Sequence, residues 1–218
     1  MSANPSTARA RSLILGRIRD ILGERTEPPD GAYPRVPRDY RGAGALPSDA
    51  CRDLLADRLQ HYQVGVYRAE PADLPGTIAE ALLARGKTRL IVPPDIERHW
   101  LPPGVEFQPD QGLSYSDLDD CDGVLTACSL AIANTGTIVL RHAAGEGRRA
   151  LTLIPDYHLC VVLAGQIVQT VPEAMRRLAA LRPPLVTTIS GPSATADIEM
   201  TRVRGVHGPR TLDVVVVA

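Results

Sequence analysis

Residues 189–209 read ISGPSATADIEMTRVRGVHGP and combine turn-forming residues with hydroxyl, acidic and imidazole side chains. A strand that ends before Gly191-Pro192 would leave Ser193 free to cap a following helix. The N–H groups at the start of that helix, together with the hydroxyls of Ser193 and Thr195, would bind an anion. His207, which precedes Gly208-Pro209, is either a general acid/base, an anion ligand or a structural turn residue.

The helix predicted after Ser193 restricts which of these side chains act together. At helical spacing Ser193, Asp197 and Thr201 share one face, and Ala196, Met200 and Val203 form an apolar stripe on another. Asp197 and Glu199 are two residues apart, so on a helix they diverge and do not form an acid and base pair. They would lie side by side only if the segment were extended. Asp197 alternatively complements the dipole of the helix.

Two further loops carry polar groups at the ends of predicted strands, where open α/β sheets bind ligands. In the turn before residue 138, Thr135 and Thr137 alternate while Gly136 allows close backbone approach. This turn is either a polar lip facing a substrate or an ordinary entry into a strand. The second loop, residues 144–149 (AGEGRR), contains two arginines that could bind a carboxylate or phosphate. It fits no phosphate-binding motif, and a solvated hairpin tip is the favoured interpretation.

The elements that must position these loops follow from alternating patterns along the chain. Strands are predicted at 63–68, 89–93, 105–108, 123–127, 137–141, 158–163, 185–189 and 212–217, and helices at 49–62, 73–85, 95–100 and 171–181. Ser48 is a predicted N-cap, Gly86 a helix stop, and Thr170 with Glu173 a capping box. This alternation predicts a three-layer α/β/α domain with a mainly parallel sheet, in which residues 185–189 and 212–217 close the sheet.

The first 47 residues are predicted to stand apart from this α/β domain, which would span residues 48–218. Residues 11–22 show the spacing of an amphipathic helix. Residues 24–48 contain five prolines and little periodicity, so this arm either wraps a surface or contacts a partner.

Composition excludes several functional classes. The chain has 218 residues, 44% of them apolar, 4% aromatic, and a formal net charge of −1, which predicts a packed core and argues against nucleic-acid binding. The apolar runs are strand-sized, so no membrane span is expected, and cytoplasm is the expected location. The four cysteines show no Cys-x-x-Cys pairing, so we expect no metal and no cofactor on this chain, and any iron–sulfur cluster would be held by another protein.

Three stretches carry a resemblance to a known family: GVLTACSLAIANTGTIVL at 123–140, HLCVVLAGQIV at 158–168 and SGPSATADIEMTRVRGVHGPRTLDVVVV at 190–217. They resemble the LUD-domain family, chiefly through GPSxTADIE and GVHGP. The resemblance implies a fold similar to that of the sugar-phosphate isomerase and CoA-transferase superfamily. It also implies a role in oxidising L-lactate to pyruvate, as a non-redox component beside two iron–sulfur partner proteins that carry the clusters.

The family motif falls on twelve positions of this chain, which are the candidate ligand-binding residues: Asn134, Thr135, Gly136, Thr137, Gly191, Pro192, Ser193, Thr195, Asp197, Glu199, His207 and Gly208. The chain departs from the family at Asn134, where an acid is common. If that acid resembles the glutamate nucleophile of CoA transferases, an amide cannot replace it, because it neither attacks nor ionises.

Three functions remain open from the sequence. The chain is either an accessory component that binds a small carboxylate or docks on iron–sulfur partners, or a free-standing enzyme acting on a phosphorylated or CoA-linked metabolite. The third possibility is a binding module that retains a degenerate ancestral site. No catalytic residue is assigned.

Overall fold

The computed structural model describes residues 5–22, 37, 39–40, 42–183, 185–195, 203–204 and 208–218. Met1–Tyr40 and Arg41–Ala218 form two compact units. The elements in chain order are α1 (Pro5–Leu22), α2 (Ser48–His61), β1 (Gly65–Ala69), α3 (Leu74–Arg85), β2 (Arg89–Val92), β3 (Glu106–Pro109), α4 (Tyr115–Asp119), β4 (Gly123–Thr126), β5 (Leu130–Ile132), β6 (Thr137–Leu140), β7 (Tyr157–Leu163), β8 (Ile167–Val168), α5 (Val171–Leu181), β9 (Thr187–Ile189), β10 (Ala194–Thr195), β11 (Val203–Arg204) and β12 (Thr211–Val217).

The main sheet of the second unit has six parallel strands in the order β1-β12-β7-β4-β2-β3. One face packs on α3, where Ile78 and Leu82 meet Leu159 and Val215. The opposite face packs on α2, whose Leu55 lies in a second core cluster. Central strands are buried on both faces, which explains the continuous apolar run of β12. The predicted three-layer α/β class with a mainly parallel sheet is therefore confirmed.

A smaller mixed sheet, in the order β8-β5-β6-β9, corrects part of the predicted topology. β9 pairs antiparallel with β6, so residues 187–189 do not close the main sheet as predicted. The predicted turn between residues 129 and 136 also contains the buried strand β5, which pairs antiparallel with β6. Three apolar residues are too short a run to show a period, so this strand is defined by its partners.

The small sheet is itself covered on two sides. Ala131, Ile138 and Leu140 belong to the same core cluster as α2 and the main sheet. On the other side Ile132 and Val139 pack with Ala174 and Leu178 of α5. The small sheet thus forms an additional layer between the main sheet and α5.

Two of the three predicted capping signals agree with the structure. Thr170 and Glu173 form the predicted capping box at the start of α5, and Gly86 ends α3 in the left-handed conformation. Ser48 is an exception, because it is the first helical residue and Pro47 occupies the N-cap position without a side-chain hydrogen bond.

The end of the proline-rich arm is fixed by hydrogen bonds from its backbone. Gln169 Oε1 accepts from the amides of Ala45 and Leu46, at 2.7 and 2.9 Å. Glu173 Oε1 accepts from the amide of Gly44 at 2.9 Å. The link from the arm to α2 therefore rests on the residues that begin α5.

Candidate functional site

A cavity of about 260 Å³ lies between the small sheet and the main sheet, where β9 ends and where β7 and β12 begin. The residues lining it come from four segments. These are Arg149 with Thr152, His158, the run from Thr187 to Ser193, and Gly208 and Pro209 with Leu212. Four of the twelve predicted residues, Gly191, Pro192, Ser193 and Gly208, lie in this wall. We call this space the β9 cavity.

Hydroxyl groups connect a second predicted loop to the β9 cavity. Thr135 Oγ1 lies 2.7 Å from Thr137 Oγ1, and Thr137 Oγ1 lies 2.8 Å from Ser190 Oγ in the cavity wall. Gly136 is buried between these threonines. Thr135 and Thr137 therefore support the wall through Ser190.

The two Gly-Pro pairs of the opening motif meet in the cavity wall. The amide of Ser193 donates to the carbonyl of Pro209 at 2.8 Å. Gly191 has φ +81°, and a Cβ atom at this position would lie 2.7 Å from Cβ of Tyr62. A glycine is required at 191 because the backbone is left-handed there and passes directly over the tyrosine.

Positive charge in the cavity wall comes from Arg149. Its Nη1 donates to the carbonyl and to Oγ1 of Thr152, at 3.0 and 3.1 Å. The remaining guanidinium N–H groups have no hydrogen-bond acceptor among the described residues. The described wall also contains five hydroxyl side chains and one histidine but no carboxylate. This composition suits an anion.

His158 is a buried polar residue of the cavity wall and was missed by the sequence interpretation. Its Nε2 lies 2.8 Å from Thr126 Oγ1 on the adjacent strand β4. The sequence does carry a signal for His158, because a histidine at the start of the apolar run HLCVVL is a polar residue in a predicted buried strand. Thr152, Thr187, Thr188 and Ser190 were also missed, and as ordinary hydroxyl residues they give no signal in a single sequence.

Behind His158 lies a pair of buried thiols, Cys128 and Cys160. Hydrogen bonding to Cys160, together with burial, raises the pKa of Cys128. The hydrogen bond from Cys128, assisted by His158 and Thr126, lowers the pKa of Cys160 to about 6. Ionisation of one thiol is thus coupled to the protonation of the other.

His142 supports the cavity from the side of the 144–149 loop. Its Nε2 lies 2.8 Å from Thr187 Oγ1, and its Nδ1 lies 2.9 Å from the carbonyl of Gly147. Its φ is +56°, which is unusual for a residue with a side chain. Both ring nitrogens therefore have partners that hold the strained residue in place.

The 144–149 loop is not the solvated hairpin tip that the sequence favoured. Glu146 is only 2% exposed and accepts hydrogen bonds from the amide of Arg141 and from Ser129. Arg148 donates to both carboxylate oxygens of Asp110, at 2.7 and 3.1 Å. Arg148 is therefore occupied by an internal partner, and only Arg149 faces the cavity.

The helix predicted after Ser193 is contradicted at both described ends. Ala194–Thr195 pair antiparallel with Val203–Arg204, so these residues are extended. Asp197, Glu199 and His207 lie outside the described residues, and of Thr195 only the backbone is described. The anion site built on a helix N-terminus is thus replaced by a cavity whose charge comes from Arg149.

Asn134 is separated from the β9 cavity. Its side chain is exposed, and its amide donates to the carbonyl of Gln169 at 3.1 Å. All three candidate loops follow strands of the small sheet, namely β5, β6 and β9. The expectation that they extend the carboxyl ends of the main sheet was therefore wrong.

Two wider features of the described residues bear on function. No group of three or more His, Cys, Asp or Glu side chains in this part of the chain is arranged to hold a metal ion. None of its helices has both the length and the apolar character needed to cross a bilayer.

Comparison with known proteins gives concordant results. The LUD domain family model matches residues 54–217. Lactate utilization protein C of Deinococcus radiodurans is 46% identical over 225 aligned residues, covering 100% of both chains. The protein of the same name from Macrococcus caseolyticus is 34% identical over 91% of this chain and 90% of its own. A crystal structure of a DUF162 family protein from Deinococcus radiodurans superposes with a TM-score of 0.70 at 42% identity, covering 80% of this chain and 100% of that one.

Proposed function

The chain belongs to the LUD-domain family, and from this membership and the β9 cavity we propose that it serves lactate utilisation as a carboxylate-binding, non-redox component. The relatives that are similar over the full chain carry the name lactate utilization protein C. The proposed ligand is a short hydroxy- or keto-carboxylate of the lactate and pyruvate class.

The observation that carries this proposal is the charge pattern of the β9 cavity. Its described wall presents the unpaired N–H groups of Arg149, the imidazole of His158 and five hydroxyls, with no carboxylate. A guanidinium binds a carboxylate through parallel N–H donors. A hydroxyl such as that of Thr188 suits the second oxygen function of a hydroxy- or keto-acid. Arg149 would therefore hold the carboxylate while the hydroxyl wall orients the neighbouring carbon.

The cavity volume favours a small ligand. About 260 Å³ is below the range of roughly 300–1,000 Å³ typical of sites for drug-sized ligands. The alternative, an enzyme acting on a phosphorylated or CoA-linked metabolite, was motivated by a helix N-terminus after Ser193 and by both arginines of the 144–149 loop. Ala194–Thr195 form a strand and Arg148 is bound to Asp110, so most of that motivation is removed.

Oxidation of a hydroxy-carboxylate to a keto-carboxylate releases two electrons, which the clusters of iron–sulfur partner proteins would accept, and two protons, which would pass to solvent. The distribution of cysteines in this chain supports that division of labour. Cys51, Cys128 and Cys160 are buried in one core cluster, and Cys121 packs in another. The proposed contribution of this chain is to bind and orient the acid.

Thermal unfolding in the presence of L-lactate, pyruvate, inorganic phosphate or coenzyme A tests the ligand class. A ligand that binds only the folded state raises the unfolding temperature, and we expect this from lactate or pyruvate. Arg149→Gln should abolish the shift, Arg149→Lys should retain part of it, and Arg98→Gln, which changes an exposed arginine outside the cavity, should leave it intact. A shift with coenzyme A or phosphate alone would favour the alternative enzyme.

Co-purification tests the proposed partners. The tagged chain, expressed with the genes that neighbour its own, should retain cysteine-rich proteins with the visible absorbance of iron–sulfur clusters. Retention of lactate binding without any such protein would leave the ligand proposal standing and refute the iron–sulfur partnership.

A further inference from the structure

Helix α1 exposes a group of apolar side chains. Leu13, Ile14, Ile18 and Ile21 are 60%, 59%, 46% and 84% exposed. Exposed apolar side chains in such a group mark an interaction surface, since a soluble surface normally carries them singly. Most of the stability of a helix in a protein comes from packing of its apolar face, so a surface that covers these side chains would stabilise α1.

The charge of α1 indicates which kind of surface covers it. The helix contains four arginines and one aspartate, giving a formal charge of +3, whereas the whole chain has −1. A second copy of α1 would bring like charges together and is disfavoured. The covering surface must be apolar inside and acidic outside.

The positions of the arginines separate a lipid surface from a protein groove. At 3.6 residues per turn, Ile14, Ile18 and Ile21 fall within an arc of about 60°. Arg11 and Arg17 lie on opposite sides of Ile14, each about 60° away. A protein groove would need an acidic side chain matched to each guanidinium, whereas anionic lipids present phosphate oxygens along both edges in any register. Long arginine side chains also reach headgroups while their methylene groups remain in the apolar layer.

We propose that α1 binds parallel to the surface of an anionic lipid bilayer, with Ile14, Ile18 and Ile21 inserted between the headgroups. The helix lies in the interface and does not cross it, as is typical of amphipathic helices with low overall hydrophobicity. This surface lies outside the stretch matched by the family model, residues 54–217. The proposal therefore does not depend on the function proposed for the β9 cavity.

Flotation of the full-length chain with lipid vesicles tests the proposal. Vesicles of phosphatidylcholine with phosphatidylglycerol should carry about tenfold more protein than vesicles of phosphatidylcholine alone, because basic residues are attracted to the anionic surface. Ile14→Glu/Ile18→Glu should lose binding through the apolar arc, and Arg11→Gln/Arg17→Gln should lose the preference for anionic vesicles. Leu83→Glu is the matched control, since Leu83 is an 83% exposed apolar residue of α3, and it should bind as the unmodified chain does.

Two results would overturn the proposal. One is absence of protein from the anionic vesicle fraction, which would mean that α1 does not bind the lipid surface. The other is equal flotation of the unmodified chain and Ile14→Glu/Ile18→Glu, which would show that another part of the chain binds lipid. Thermal unfolding of each variant provides the folding control, since these substitutions lie at exposed positions where large losses of stability are not expected.

Discussion

Thr137 Oγ1 and Ser190 Oγ lie 2.8 Å apart and join two loops that are 53 residues apart in sequence. The pair sits at the end of the antiparallel ladder between β6 and β9, next to the Ile138 and Ile189 partners. Thr135 extends the contact on one side, and the β9 cavity borders it on the other. The hydroxyl pair therefore fixes the segment 187–193, which supplies more of the cavity wall than any other segment.

Thr137→Val should reduce the free energy of unfolding by about 1 kcal/mol, because the partly buried hydroxyl bond is lost and Ser190 loses a partner. Urea unfolding measures this loss. Thr188→Val is the matched control, since Thr188 is exposed on β9, and it should change stability by less than about 0.5 kcal/mol.

A double-mutant cycle with Ser190→Ala shows whether the loss belongs to the pair. We expect the two substitutions to be less than additive, with a coupling energy of at least about 0.5 kcal/mol. Strict additivity would mean that Thr137 stabilises β6 independently of Ser190.

Gly191→Ala should destabilise the chain through two separate effects. Its φ of +81° disfavours a side chain, and the added Cβ would lie 2.7 Å from Cβ of Tyr62. Strain at such a position costs about 1–3 kcal/mol, and displacement of Tyr62 adds to this cost. The substitution should also reduce binding of any ligand in the β9 cavity.

Gly112→Ala separates strain from contact. Gly112 has φ +90°, and a Cβ atom added there would meet nothing within 4 Å among the described residues. It should therefore lose stability through strain alone and leave ligand binding intact. If both variants lose the same stability, the contact with Tyr62 contributes nothing, and the close approach at Gly191 has no energetic role.

The sequence predicted those features that depend on neighbouring residues. The capping box of Thr170 and Glu173 and the stop at Gly86 are local, because each is made within a few residues of the helix end. The layers followed from strand and helix alternation, since amphipathic helices must cover a parallel sheet.

Features that depend on pairing with a distant part of the backbone could not be predicted from neighbouring residues. Residues 194–204 have apolar spacing that fits a helix, but Ala194–Thr195 pair with Val203–Arg204. β-Branched Thr195 and Val203 favour strands, and that was the available signal. The same limit explains β9, whose short sequence is compatible with either sheet until β6 pairs with it.

Only part of the candidate site was predicted from the sequence, and the reason is physical. Gly191 and Gly208 are required by backbone geometry and therefore stand out in the motif. Arg149 and His158 enter the cavity from other segments, and their convergence is set by the packing of β7 against the small sheet. Motif residues thus located the cavity, whereas the arginine in its wall was identified only from the three-dimensional structure.

Asp213→Asn should cost about 2–3 kcal/mol, less than the range for breaking a fully buried ion pair, because Arg85 is partly exposed. Asp213 is fully buried and accepts hydrogen bonds from Arg85 Nε and Nη2 and from the hydroxyl of Tyr157, at 2.8, 2.7 and 3.1 Å. Burial, together with this carboxylate, raises the pKa of Tyr157, so its hydroxyl remains a donor.

Asp156→Asn provides the comparison for Asp213. Asp156 pairs with Arg210 at 3.1 Å, and both side chains are largely exposed, so its loss should cost at most about 1 kcal/mol. Chemical unfolding of the two variants at neutral pH measures the difference. Equal losses would show that the buried network of Asp213 is no more important than a surface pair.

The Asp110–Arg148 pair should make stability depend on acid pH. Burial alone would raise the pKa of Asp110, but hydrogen bonds from Arg148 and from the amides of Leu113 and Gly112 outweigh it and hold that pKa below its usual value. The folded state thus binds this proton less tightly than the unfolded state. Its contribution to stability is complete above the unfolded pKa, about 3.9, and is lost as the pH falls through the lower folded pKa.

Asp110→Asn should remove this part of the acid dependence and lower stability by about 1–2 kcal/mol at neutral pH, a range reduced because Arg148 is partly exposed. Urea unfolding at a series of acid pH values, starting above the ordinary pKa of an aspartate, measures both effects. Asp119→Asn is the matched control, since Asp119 is exposed at the end of α4 and should retain the acid dependence of the unmodified chain. An unchanged acid dependence in Asp110→Asn would show that other carboxylates control acid unfolding, and that Arg148 anchors the 144–149 loop without linking its stability to pH.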